Sequence, residues 1–169
     1  RFLSLATMGI GRDAETMGHA SPVTIMEVMG RNAGWLAAAT AMSKRDEEDA
    51  PHLICVPEVP INETRFLDII ENSYKRYGFA VAVVAENTRD THGVIGGQKK
   101  PSFVDDFGHA YYDGPARYLS MVTSKRLNVR VRHEKPGTIQ RSMATCVSRS
   151  DAQEAEEVGR AAVRHALTG

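Results

Sequence analysis

The sequence predicts an α/β fold: a three-layer, Rossmann-like parallel sheet with helices on both faces. Three observations lead there. Short apolar runs alternate with amphipathic stretches in the order strand, helix, strand, helix, strand. The apolar runs lack polar alternation, as strands buried on both faces do. Caps and turn residues fall between the segments, where connections belong.

Residues 1–18 read as a helix, weakened by Gly9 and Gly11. After Pro22, the run Val23 to Met29 carries Val23, Ile25, Met26 and Val28 and reads as a buried strand. Met29-Gly30-Arg31-Asn32 follows as a tight connection. Ala33 to Ser43 is alanine-rich and helical, with Trp35, Leu36, Ala39 and Met42 at helical spacing and Trp35 expected in the core. Lys44 to Asp49 is charged, mixed in sign and expected to be a solvated loop. Leu53 to Val56 is the second strand. Asn62 is a good N-cap, and Ile61 with Phe66 has the spacing of a hydrophobic staple. The helix that follows places Phe66, Ile69, Ile70, Tyr74 and Tyr77 on one face and ends at Gly78.

Phe79 to Ala85 is the third strand, with Glu86 directly after it. Asn87 to Tyr112 is polar and irregular, and a loop that long usually has a function or no fixed structure. Its Gly93, Gly96 and Gly97 lack the flanking strand and helix of a phosphate loop, so a flexible surface loop is expected. Asp105, Asp106 and Asp113 lie among Phe103, Phe107, Tyr111 and Tyr112, which read as packing of this loop. Pro115 suits the first position of a helix reaching Arg126. Val129 and Val131 alternate with Arg130 and Arg132 in a last strand, and Pro136-Gly137 is a turn. Ser150-Asp151-Ala152-Gln153 reads as a capping box for a final helix through Leu167.

Composition excludes several classes. The 169 residues carry 21 Lys plus Arg and 21 Asp plus Glu, so there is no basic excess for nucleic acid. No apolar run approaches the ~20 residues that span a bilayer, and no signal-peptide pattern is present. Two cysteines, Cys55 and Cys146, form no CxxC and suit a reducing cytoplasm. The six histidines show no ligand spacing, so no metal site is expected, and Cys146 has no paired histidine for nucleophilic work. The chain opens on Arg1 inside a helix, which reads as a fragment of a longer protein.

In open parallel sheets, ligands bind beyond the carboxyl ends of the strands. That end should hold Gly30 and Arg31 after the first strand and Glu86 after the third. Arg130, Arg132, His133, Lys135 and Arg141 make the most basic stretch of a neutral chain. Arginines recognise phosphate through two parallel hydrogen bonds, and a carboxylate accepts from hydroxyls. A phosphorylated sugar fits this set. The plainer reading leaves Glu86 in a turn and the arginines on a solvated strand face.

Residues 23–37, VTIMEVMGRNAGWLA, resemble the MGR segment of the phosphofructokinases. Val56-Pro57-Glu58 resembles the family's PE element, Ala85-Glu86 its substrate glutamate, and Pro136-Gly137-Thr138-Ile139-Gln140-Arg141 its GxxQR element. The resemblance runs from about residue 17 to 166. It implies phosphoryl transfer to the 1-hydroxyl of fructose 6-phosphate, giving fructose 1,6-bisphosphate, in cytoplasmic glycolysis. Met29 and Gly30 would contact the sugar phosphate, and Arg31 would stabilise charge on the transferred group. Glu86 would hold hydroxyls, while Arg132 and Arg141, with Thr138 beside them, would hold the 6-phosphate. The family arginine matching Arg132 reaches into a neighbouring subunit's site, which implies a homodimer or homotetramer.

Two positions depart from the family. Pro22 stands where many members have an arginine, and Thr138 where many have His or Tyr. The wording of MGRNAGW, Asp106-Phe107-Gly108-His109 and PGTIQR is more similar to pyrophosphate-dependent or deep-branching members than to the allosteric bacterial ATP enzymes. The family's Gly-rich donor loop and its TIDND-like segment, which carries the catalytic base near Mg²⁺, are not in this sequence. The expected organisation is a linking helix (1–19), a fructose 6-phosphate domain (20–137) and a return segment (138–169). Mg²⁺ and ATP or pyrophosphate then belong to the complete enzyme, and this chain alone is expected to bind sugar phosphate without turnover. The alternatives are a non-catalytic module that senses sugar phosphate, and an α/β interaction domain without a ligand.

Overall fold

The structure is a computed structural model and describes residues 1–96, 103–104, 106, 110–111 and 114–168. Gly97, Asp105, Phe107, His109, Tyr112 and Asp113 lie outside the described residues.

Four parallel strands form the central sheet: β1 (Val23–Val28), β2 (Leu53–Cys55), β3 (Ala80–Ala85) and β8 (Val131–Glu134). Their order is β2-β3-β1-β8. β1 and β3 run in register from Val23 opposite Ala80 to Val28 opposite Ala85, and every residue of both is buried. Side chains alternate between faces along a strand, so both faces of this pair need cover. One face packs Val23, Ile25, Ala80, Ala82 and Val84 against Phe66, Ile70, Ala116 and Leu119. These come from α3 (Glu63–Tyr77) and α4 (Pro115–Leu127). The other face packs Met26, Val28, Val83 and Ala85 against Leu3 and Ala37, from α1 (Phe2–Met17) and α2 (Trp35–Ala39). The result is the expected three-layer α/β architecture.

Local chemistry places the boundaries. Asn62 Oδ1 accepts from Arg65 N at 3.0 Å, and Ile61 packs with the cluster that contains Phe66. α3 closes at Gly78 in the left-handed conformation. α4 opens with Pro115 at its start.

Five sequence expectations need correction. The helix expected over 33–43 is short: α2 gives way to a 3₁₀ turn, Thr40–Ser43, whose Thr40 and Ser43 hydroxyls bond back to carbonyls three residues earlier. Trp35 is 81% exposed, because at the start of α2 the spiral turns Ala37, not Trp35, to the sheet. The last strand begins at Val131, not Val129. The final helix, α6 (Arg149–Thr168), starts before the expected box, with Asp151 N donating to Ser148 Oγ at 3.4 Å. The stretch after Glu86 is not irregular throughout. β4 (Arg89–Asp90) pairs antiparallel with β5 (Gly93–Val94), and β6 (Phe103–Val104) with β7 (Ala110–Tyr111). Ile95 is buried in the core and donates its amide to Thr88 O at 3.0 Å, so the Gly93–Gly96 turn is anchored at its far end.

Candidate functional site

All four strands are parallel, so their carboxyl ends lie together, and the connections leaving them meet on one edge. β1 delivers Met29, Gly30 and Arg31, β3 delivers Glu86 and Asn87, β2 delivers Val56 to Glu58, and β8 delivers Lys135 and Pro136. Glu86 N donates to Val28 O at 2.8 Å, which extends the β1–β3 ladder by one bond and fixes where Glu86 leaves the sheet.

Hydrogen bonds between connections hold this edge. Asn87 Nδ2 donates to Arg31 O at 2.9 Å, tying the MGR turn to the residue after Glu86. Glu58 Oε1 accepts from Gly34 N at 2.8 Å and so fixes the entry to α2. Gln140 Oε1 accepts from Met29 N at 3.0 Å, and Gln140 Nε2 donates to Gly137 O at 2.7 Å. Gln140 lies on α5 (Ile139–Ser142). The MGR and GxxQR segments are 111 residues apart and meet through this side chain. Gly30 has φ +148, and a Cβ there would stand 2.7 Å from Ala33 O, so the turn requires glycine.

The structure therefore gathers Met29, Gly30, Arg31, Glu86, Thr138 and Arg141 on one edge. Arg31, Thr138 and Arg141 are exposed, while Met29, Gly30 and Glu86 are half-buried. Arg132 does not join them. It pairs in register with Thr24, near the amino end of β1, and its guanidinium forms an ion pair with Asp13 of α1. Its Nε is buried without a hydrogen-bond partner. Lys135, counted by sequence among the basic residues facing a ligand, turns back to Glu27 at 2.7 Å.

Sequence reasoning assigned no role to Gln140, Asn87 or Glu27. Gln140 had a signal: three residues after Gly137, it sits where a side chain can return to that carbonyl. Glu27 had a stronger one, as the single charged residue in a strand otherwise free of charge.

Two groups in and beside β2 are unsuited to chemistry. Burial pushes the Cys55 thiol up to about 12, so it stays protonated. His52 accepts from Val81 N through Nδ1 at 3.0 Å and lies against Tyr77 and Phe79. Burial, helped by the charge on Lys44, lowers its pKa to about 4 and keeps it neutral. Among the described residues no cluster of His, Cys, Asp or Glu could hold a metal ion, and no helix is long and apolar enough to cross a membrane.

An open parallel α/β sheet whose connections meet at the carboxyl ends of its strands defines a class of ligand-binding domains. Within that class the chain belongs to the phosphofructokinase family, whose model, described as Phosphofructokinase, matches residues 6–166. It is 34% identical over 170 residues to the pyrophosphate–fructose 6-phosphate 1-phosphotransferase of Xanthomonas campestris pv. campestris, covering 100% of this chain and 40% of that protein. The enzyme of the same name from Rhodospirillum rubrum is 35% identical over 175 residues, with 100% and 43% covered. The crystal structure of a pyrophosphate-dependent phosphofructokinase from Marinobacter aquaeolei superposes with a TM-score of 0.77 at 29% identity, covering 99% of this chain and 38% of that one. The chain thus spans about two fifths of the length of these relatives.

Proposed function

We propose that this chain supplies the sugar-phosphate half of a 6-phosphofructokinase, which transfers a phosphoryl group to the 1-hydroxyl of fructose 6-phosphate. The observation that carries the reading is the bond from Met29 N to Gln140 Oε1, which brings the MGR and GxxQR segments onto the edge where Glu86 leaves the sheet.

The roles follow from chemistry. Gly30 lets a ligand approach the backbone closely, and Met29 lines that approach. Glu86, half-buried, accepts from sugar hydroxyls. Arg141, with Thr138 beside it, holds the 6-phosphate. Arg31 stabilises charge on the group in transfer, as expected where catalysis is positioning and electrostatics. Arg132, placed away from this edge, acts on the site of a second copy, and the working assembly is a homodimer or homotetramer. Residues 20–137 form the sugar-phosphate domain, with 1–19 and 138–169 as its connections. The donor is pyrophosphate or ATP, and both curated relatives above are named for pyrophosphate, which favours it. Mg²⁺ and the phosphoryl donor belong to the complete enzyme.

Thermal unfolding with fructose 6-phosphate tests the reading, with glucose and inorganic phosphate as controls. At about 100 times Kd, binding adds ~2.7 kcal/mol, a rise on the order of 5–10 °C for this length. A rise specific to fructose 6-phosphate supports the proposal. Equal rises with inorganic phosphate reduce it to an anion site, and no rise contradicts it.

A further inference from the structure

Glu27 stands in β1 and is 2% exposed, in a strand otherwise free of charge. Burying a carboxylate without partners is costly, so its partners are informative. Oε2 accepts from Ala116 N at 3.2 Å, at the start of α4, where free amides favour negative charge. Oε1 lies 2.7 Å from Lys135 Nζ, an ion pair whose alignment falls short of a directed hydrogen bond. The backbone makes room for the carboxylate: Gly114 has φ +86, and a Cβ there would come within 2.2 Å of Oε2.

Lys135 is the residue that leaves β8, and it is half-exposed. It immediately precedes the Pro136-Gly137 turn. The other end of that turn is Gln140, which bonds to Gly137 O and to Met29 N. Glu27 is the penultimate residue of β1, and Met29 follows two positions later, just past the strand's end. The end of β1 therefore grips the 135–140 turn twice, by a side-chain ion pair at its start and by a backbone amide at its finish.

We propose that Glu27, acting through Lys135, is a positioning residue that sets the 135–141 turn against the MGR turn. The ion pair restrains where the turn departs, so that Gln140 meets the Met29 amide and Arg141 keeps its place on the site edge. Glu27 and Lys135 touch no ligand in this arrangement. The consequence for ligand rests on the function proposed above; the mechanical claim does not.

Amide hydrogen exchange on the 169-residue chain tests it, read at Met29 and compared with Ala82 in the middle of β3. In Lys135→Met, Met29 exchange should quicken by about tenfold or more while Ala82 stays within about twofold, the pattern of local opening. Lys135→Arg should restore Met29 protection. If Lys135→Met fails to fold because Glu27 is left uncompensated, the double variant Glu27→Gln with Lys135→Met removes the buried charge and should still release Met29. Unchanged protection at Met29 in the double variant, or equal quickening at Met29 and Ala82, would overturn the proposal. Fructose 6-phosphate stabilisation, measured in parallel, should weaken in Lys135→Met and return in Lys135→Arg. Absence of ligand response in the parent chain with Met29 released in the variant would overturn the function and leave the positioning role standing.

Discussion

β1 with β3 and the final helix α6 follow the same local rules and end in opposite surroundings. The two strands contribute six residues each, all buried between helical layers. α6 contributes 20 residues with apolar side chains recurring at helical spacing, and none of them is buried. Val158, Val163 and Leu167 all face outward. Periodicity encodes a face, but burial needs a surface opposite it. The sheet finds one on both sides, and α6 is held by its own backbone, the Ser148 contact and pairs such as Arg160 with Glu156 at 2.7 Å. An exposed pair of that kind contributes about 0.3–0.5 kcal/mol. Stability should therefore be concentrated in the sheet and nearly independent of α6.

The sharpest way to break this contrast is Ile25→Ala. Ile25 is wholly buried between β1 and the α3–α4 layer. Its truncation should cost about 2–5 kcal/mol, read by denaturant unfolding. Gly30→Ala comes next, because its Cβ would press on Ala33 O at a backbone angle that L residues rarely adopt. A loss of ~1–3 kcal/mol is expected, together with loss of fructose 6-phosphate stabilisation.

The third test is pH. His52 is neutral in the fold with its pKa lowered from 6.5 to about 4, so its contribution is complete above about 6.5. As pH falls the unfolded chain takes up the proton first, and stability declines until both states are protonated below about 4. His52→Asn keeps an acceptor for Val81 N and cannot be protonated there, so its unfolding midpoint should fall less than the parent's across that window. A parallel decline in both would remove His52 from the account.

Smaller effects sharpen the other side. Asn62→Ala should cost about 1 kcal/mol through the lost cap on α3. Val158→Ser on α6 should change global stability by less than about 0.5 kcal/mol. A loss comparable to that of Ile25→Ala would show that α6 is packed in solution and shares the sheet's stability.

The same contrast explains what the sequence made legible. β1, β3 and α3 could be read because their apolar pattern and their caps, Asn62 and Gly78, agree with their burial. Glu86 could be placed because it directly follows an unbroken apolar strand. Trp35 could not: a large aromatic residue reads as core, but its direction depends on where a short helix begins. The partners of Arg132 and Lys135 were also illegible. Alternation gave Arg132 a strand face without saying that α1 would set Asp13 against it. The bond between Gln140 and Met29 spans most of the chain, and no local pattern announces a contact of that kind.

The central claim is that fructose 6-phosphate binds at the carboxyl edge of the sheet where the MGR and GxxQR turns meet. Backbone amide NMR during a titration with fructose 6-phosphate tests it most directly. The account predicts saturable shifts confined to Met29, Gly30, Arg31, Glu86 and the Thr138–Arg141 turn, with α6 and the amino ends of the strands unmoved. Saturable shifts centred elsewhere, or none up to the highest soluble concentration of fructose 6-phosphate, would contradict it.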